Sequence, residues 1–376
     1  MSPSFHKLDS SVVYECVIGH RTNARSISWN SSGTTLAVAG SDRTTRLYSM
    51  TDLMSSSSSN SSSSSSSQTR ELSTMVGHTD RVRFHPHQDS VLATASGSDA
   101  TVKLWDVRSS STKQAGKIEL TGSSSNGSTV DVSWSGQSST KEHLLVVTEK
   151  NGSVHVLDTR KLGSSVKTPA SKKSPSSAAF RNTFVLNPKI VDACVFSPSG
   201  DHLVAATSEQ GYGELTVWNW ETEEKENSSH KYVYPAHTGP IYSFCFSPNG
   251  QKLATGGGDA LVGLWDVDTM VCSSTINRCD RFVRSVSFSY DSQIVATSTE
   301  EASVDLANAE TGALVAKMSL SSSFSNNNNN NRKVDRNAPG ADEITFHPKM
   351  HLLACARCDS MTCSPLTLVK LTLARQ

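Results

Sequence analysis

The sequence predicts an all-β fold in which seven short antiparallel sheets stand radially in one closed ring. Three observations predict it. Residues 234–269 read as three short strands joined by tight turns. An aromatic residue closes a strand-like segment seven times along the chain, at Trp29, Phe84, Trp134, Phe196, Phe246, Phe288 and Phe346. No stretch carries a convincing helical period.

The clearest stretch begins with an alternating segment over 241–247, with Ile241, Phe244 and Phe246 apolar. Ser247-Pro248-Asn249-Gly250 follows as a turn, because Pro presets φ and Asn-Gly tolerates positive φ. Residues 252–257 form the second strand and 261–267 the third, which ends in Trp265-Asp266. A fourth is expected over 272–278. Four short strands ending in Trp-Asp, with a His ahead of the first, resemble one blade of a WD-repeat β-propeller. The resemblance implies a buried tetrad of His237, Thr255, Asp259 and Trp265. His237 lies 22 residues before Asp259, Thr255 four before, and Trp265 six after. The physical need is polar satisfaction: Asp259 accepts from turn amides and from His237, and His237 bridges toward Thr255 and the Trp265 indole.

The aromatic beat recurs at steps of 55, 50, 62, 50, 42 and 58 residues. A bare blade needs about 40–45 residues, so the long steps should hold insertions. Seven beats imply seven blades, hence an all-β, seven-bladed WD-repeat β-propeller. A radial ring also removes the exposed edges of one large sheet. Closure should borrow a strand from one chain end. Residues 11–17 precede the first Gly19-His20 and are expected as the outer strand of the last blade, beside a third strand over 366–373. The expected organisation is a single propeller over 11–373. Disordered insertions are expected at 51–70 (Ser-rich) and 321–341 (Asn/Ser-rich), with a mobile Ser/Pro/Lys loop at 162–180.

In chain order, blade one keeps His20 and Asp42 at the 22-residue spacing, with Tyr48 in place of the Trp and Val38 at the Ser/Thr position. Blade two carries His78, Asp99 and Trp105. Its first strand is three residues short, since His78 to Phe84 is six residues where His20 to Trp29 is nine. Such a strand should be strained or shifted. Blade three loses His and Trp and has Asn151 at the Asp position. Blade four carries Phe196 and Trp218. Blade six has Glu301 for the Asp and Ala307 for the Trp. In blade seven, Phe346-His347-Pro348 resumes the pattern. Arg46 and Lys103 read as outward, solvated strand positions. Lys167-Thr168-Pro169 and Lys172-Lys173-Ser174-Pro175 read as sites for a proline-directed kinase.

Lys plus Arg and Asp plus Glu both number 35, giving zero net charge and no sign of a bulk polyanion partner. The opening MSPSFHKLDSS lacks a basic start and an apolar run, so no targeting segment is expected. No stretch approaches the roughly 18 apolar residues of a membrane helix. Eight scattered Cys, such as Cys16, Cys194 and Cys245, read as reduced core residues.

Ser, His and Asp recur together, but a catalytic triad occurs once and a structural tetrad repeats, so no enzyme activity is expected. Cys355, Cys358 and Cys363 near His347 and His351 have loose metal spacing without a second CxxC, so neither a metal nor another cofactor is expected. Trp105-Asp106-Val107-Arg108 resembles the WDxR box of substrate receptors for cullin-type ubiquitin ligases, where Asp106 and Arg108 would contact the adaptor. A solvated Arg at a strand end is the plain reading of the same residues.

Several stretches are similar to the WD-repeat subunits of THO/transcription–export (TREX) complexes. They are 234–237, 254–262 leading to 264–268, 284–291, Val304-Asp305-Leu306-Ala307 with Ala309-Glu310-Thr311-Gly312, and 346–349 with 352–354. The sixth-blade ending Asp-Leu-Ala, in place of Trp-Asp, is the most discriminating. The resemblance implies a nuclear, non-catalytic scaffold that couples transcription to mRNP assembly and mRNA export. Its partners would be the other THO subunits, with RNA met indirectly, and with no membrane and no small-molecule substrate.

Overall fold

The structure is a computed structural model that describes residues 8–16, 23–50, 71–76, 80–97, 100–108, 113–119, 129–136, 141–149, 151–162, 166–167, 179–186, 190–221, 231–320, 340–357 and 366–373. These residues form seven antiparallel sheets. Blade five shows the plan: Ile241–Phe246, Lys252–Gly257, Val262–Asp266 and Val271–Ile276 pair in sequence order. The turn after Phe246 works as its composition demands. Gly250 takes φ 74°, and the Ser247 hydroxyl accepts from Lys252 N at 2.9 Å.

All seven aromatic beats are the last residues of the first strands, for example Ala24–Trp29, Thr129–Trp134 and Ala341–Phe346. First strands of successive sheets lie side by side around the ring. Hydroxyls knit them together. Ser26 and Ser28 of blade one accept from Val82 N and Phe84 N of blade two at 3.2 and 2.9 Å. Ser285 and Ser287 of blade six accept from Ile344 N and Phe346 N of blade seven at 3.2 and 3.0 Å.

The apolar core is distributed between blades. Each of seven buried clusters draws on two neighbouring sheets, and the seven together cover every junction of the ring. The junction of blades seven and one holds Ile27, Trp29 and Leu36 against Leu352, Leu366 and Leu368. A ring closed in this way leaves no junction open to water.

Closure uses the N-terminal strand. Leu8–Cys16 pairs antiparallel with Leu366–Leu373, from Leu8↔Leu373 to Cys16↔Leu366, with a bulge between Val12 and Tyr14. The strand begins three residues ahead of the expected boundary at 11.

The shortened blade is the second. Six first strands carry a β-bulge near their start, as at Ala24/Ser26 and Ile241/Ser243. Arg81–Phe84 has only four residues and no bulge, and Phe84 still sits opposite Leu92. The missing residues therefore come from the bulged end. The strand is neither strained nor shifted, because its paired half is intact.

Inside the 162–180 loop, Val166–Lys167 adds a short parallel strand to Ile118 and Glu119 on the outer edge of blade two. Phe180–Val185 is already the outer strand of blade three. The expected mobile loop is thus pinned at one point by edge pairing. The insertion expected at 51–70 lies outside the described residues, as does the one expected at 321–341 up to residue 339; that insertion ends earlier than expected, because Ala341 already opens the first strand of blade seven.

Candidate functional site

The polar site of blade five is complete. Asp259 sits in the turn between the second and third strands and His237 ends the outer strand of blade four. Asp259 Oδ1 lies 2.9 Å from His237 Nδ1 and also accepts from Leu261 N at 3.2 Å. Its Oδ2 accepts from Thr238 N at 2.9 Å. His237 Nε2 lies 2.8 Å from Thr255 Oγ1, and the Trp265 indole N–H donates to the same oxygen at 3.0 Å. Thr255 therefore has its own proton to give to His237 Nε2, which leaves Nδ1–H to donate to Asp259. The room is exact for an indole. A Cβ on Gly263, opposite Thr255, would press on Trp265 Nε1 and Thr255 Oγ1.

Burial pushes the Asp259 carboxyl up, but the His237 bond and charge and the Thr238 and Leu261 amides outweigh it, so the group ends below the usual carboxylate value. A carboxylate stabilised by folding contributes its stability above the unfolded-state pKa and loses it as pH falls through the folded value. Asp259→Ala is expected to cost about 1–3 kcal/mol, because it strands His237 and two turn amides. Thermal unfolding at neutral pH checks this, and the gap to wild type should close below pH 3.8.

In blades one and two only part of the tetrad falls among the described residues. In blade two the Trp105 indole donates to Thr94 Oγ1 at 2.8 Å. Thr94 lies at the same offset from Phe84's partner as Thr255 from Phe246's, a signal that the sequence held but the reading missed. His20, His78 and Asp99 lie outside the described residues.

In three of the blades without the Trp, the third-strand residue opposite the Ser/Thr position fills the site with a different polar group. In blade one it is Arg46, opposite Val38. Arg46 is not an outward solvated residue. Its side chain is 15% exposed, and its guanidinium donates to Asp42 Oδ2 at 2.6 Å. Val38 offers no hydroxyl, so the cation takes the turn carboxylate instead, and Tyr48 packs into the apolar core. In blade three it is His155, 2.9 Å from Glu149 and 3.1 Å from Thr183 Oγ1. Asn151 keeps the turn role by accepting from Ser153 N at 2.8 Å. In blade six it is Asp305, which accepts from Arg278 Nε at 2.9 Å. The Asp-Leu-Ala ending thus exchanges an indole for an ion pair.

Asp106 and Arg108 meet on the opposite face. Arg108 Nε donates to both Asp106 oxygens at 3.0 Å, while its side chain stays 75% exposed. Blade three repeats the device unforeseen, with Arg160 Nε on Asp158 Oδ1 at 3.0 Å.

The described members of the cysteine and histidine set, Cys355, His347 and His351, each have a separate setting. Cys355 is buried in the second strand of blade seven, His347 Nε2–H donates to Gly33 O at 3.0 Å, and His351 bonds Asp291 at 2.9 Å. Cys358 and Cys363 lie outside the described residues. Among the described residues no three metal-type ligands cluster.

The family described as WD domain, G-beta repeat matches residues 11–49, 69–106 and 228–266. These stretches hold the three blades whose His and Asp were legible. THO complex subunit 3 of Arabidopsis thaliana is 27% identical over 300 residues, covering 79% of this chain and 80% of that protein. WD repeat-containing protein AAC3 of Dictyostelium discoideum is 29% identical over 73% of this chain. Mitotic checkpoint protein bub-3 of Caenorhabditis elegans is 26% identical over 56% of it. The chain spans 52% and 56% of the length of these last two.

Proposed function

Starting from a seven-bladed WD-repeat propeller, we propose that this chain is a non-catalytic scaffold subunit of a THO-like nuclear complex that couples transcription to mRNP assembly and mRNA export. The similarity to THO complex subunit 3, spread over most of both chains, carries the reading. Chemistry supports the non-catalytic half. Asp259, His237 and Thr255 have the order of a hydrolytic relay. Yet Thr255 is fully buried and its hydroxyl is spent on Trp265 and His237, so no substrate carbonyl can reach it. A ring with distributed cores instead offers two broad faces for protein partners.

Affinity purification of the tagged chain from nuclear extract is expected to return the other THO subunits in stoichiometric amounts. A clean purification without them would sink the reading. One observation favours a second: the exposed Arg108, braced on Asp106, suits a receptor for a cullin-type ligase adaptor. In that case Arg108→Ala should abolish adaptor binding and leave THO co-purification unchanged.

A further inference from the structure

The bulges near the start of the first strands place equivalent side chains at one mouth of the ring. They include Arg25 in blade one, Asp192 in blade four, Tyr242 in blade five and Arg284 in blade six. Blade two, lacking the bulge, contributes none. Besides Asp342 of blade seven, which has an interaction of its own, three charged members can be compared directly. Arg25 meets Asp80 at 2.6 Å, and Arg284 meets Glu300 at 2.5 Å. Each of these cations has found its opposite charge within the chain. Asp192 has not. Its one hydrogen bond among the described residues is a long one, from Ser208 Oγ at 3.4 Å. No Lys, Arg or His among the described residues pairs with it. Burial pushes its carboxyl up to about 6.

A half-buried carboxylate without a cation is costly in the free protein and is relieved by a cation from outside. One carboxylate and one hydroxyl are too few oxygen ligands for a divalent metal, and a carboxylate repels phosphates. The next two blades round the ring supply exposed aromatic surface. Tyr242 is 40% and Phe282 45% exposed, with ring centroids 6.2 Å apart. Tyr242 already carries the Arg284 guanidinium 5.7 Å from its ring centre, so the wall suits planar cations. A groove of about 590 Å³ opens on the same face between blades four and five, lined by Tyr212, Pro235 and Ala236, and can take a continuing chain.

We propose that the channel mouth over blades four to six docks a partner-protein segment through an arginine side chain, with Asp192 as its counter-ion and Tyr242 and Phe282 as its apolar walls. This docking rests on the scaffold reading but not on which complex the scaffold serves. Arginine fits better than lysine because its flat fork meets a carboxylate in two places and stacks on an aromatic ring.

The test uses the full chain and two fluorescent heptapeptide pools with random apolar flanks, one with a central arginine and one with a central glutamine. Anisotropy titration is expected to show at least tenfold tighter binding of the arginine pool. Asp192→Asn should erase that preference while raising the unfolding temperature, and Tyr242→Ala should weaken the arginine pool several-fold. Equal binding of both pools, binding of neither, or a preference that survives Asp192→Asn overturns the proposal. Co-purification with THO subunits is read separately, so either idea can fail alone.

Discussion

Replacing Arg83 by methionine is expected to lower stability by about 3 kcal/mol, the scale for removing one partner of a largely buried ion cluster. Arg83 projects from the short first strand of blade two and reaches three other blades. Its Nη1 lies 2.9 Å from Glu343 Oε1 of blade seven and 3.1 Å from Ser26 Oγ of blade one. Its Nη2 lies 3.7 Å from Asp131 Oδ1 of blade three. Asp131 and Glu343 have side chains only 11% and 12% exposed, so without the guanidinium they are left as like charges in a confined space. Ile27 N still donates to Glu343 Oε2 at 2.9 Å, which offsets part of the loss. Methionine keeps the volume, so the effect reads the charge. Thermal denaturation should show a drop of ~5 °C or more. The double variant Arg83→Met/Glu343→Gln should recover part of it, since the stranded carboxylate is then neutral. An unchanged melting temperature in the single variant would show that the cluster contributes nothing.

Deleting residues 1–16 is expected to do more. It removes the fourth strand of blade seven and bares Leu366–Leu373, which lies between Leu8–Cys16 and Leu352–Arg357. Half a dozen or more ladder bonds disappear, at about 0.5–1.5 kcal/mol each. The exposed edge then becomes a template for pairing between chains. The truncated chain should therefore melt well below the full one and elute from a sizing column as aggregates. A monomer with the parent melting temperature would mean that the strand is dispensable.

What was legible in the sequence was local. The first-strand aromatics, the Ser247–Gly250 turn and the His237–Asp259–Trp265 spacing lie within one repeat, and each is dictated by short-range geometry. Even the closing strand could be read, because a segment ahead of the first Gly-His has only one place to go. What was hidden depends on residues far apart or on substitution of one polar device by another. Arg83 and Glu343 are 260 residues apart, so no spacing links them. Arg46 looks outward by alternation until Val38 removes the hydroxyl that would otherwise hold the site. Glu149 and His155 took over blade three from within the strands, where a search for the usual His and Asp positions does not look. Asp192 gave no signal, since its meaning comes from the charges its counterparts meet and it does not.

The closed ring, with its first strand completing the last sheet, is the claim on which the two faces and the channel mouth depend. Ser11 and Lys370 are paired across that seam. In a Ser11→Cys/Lys370→Cys variant, mild oxidation followed by peptide mass mapping should give an 11–370 disulfide within one chain and a higher unfolding temperature. Failure to form that link, or its formation only between two chains, would contradict the closed ring.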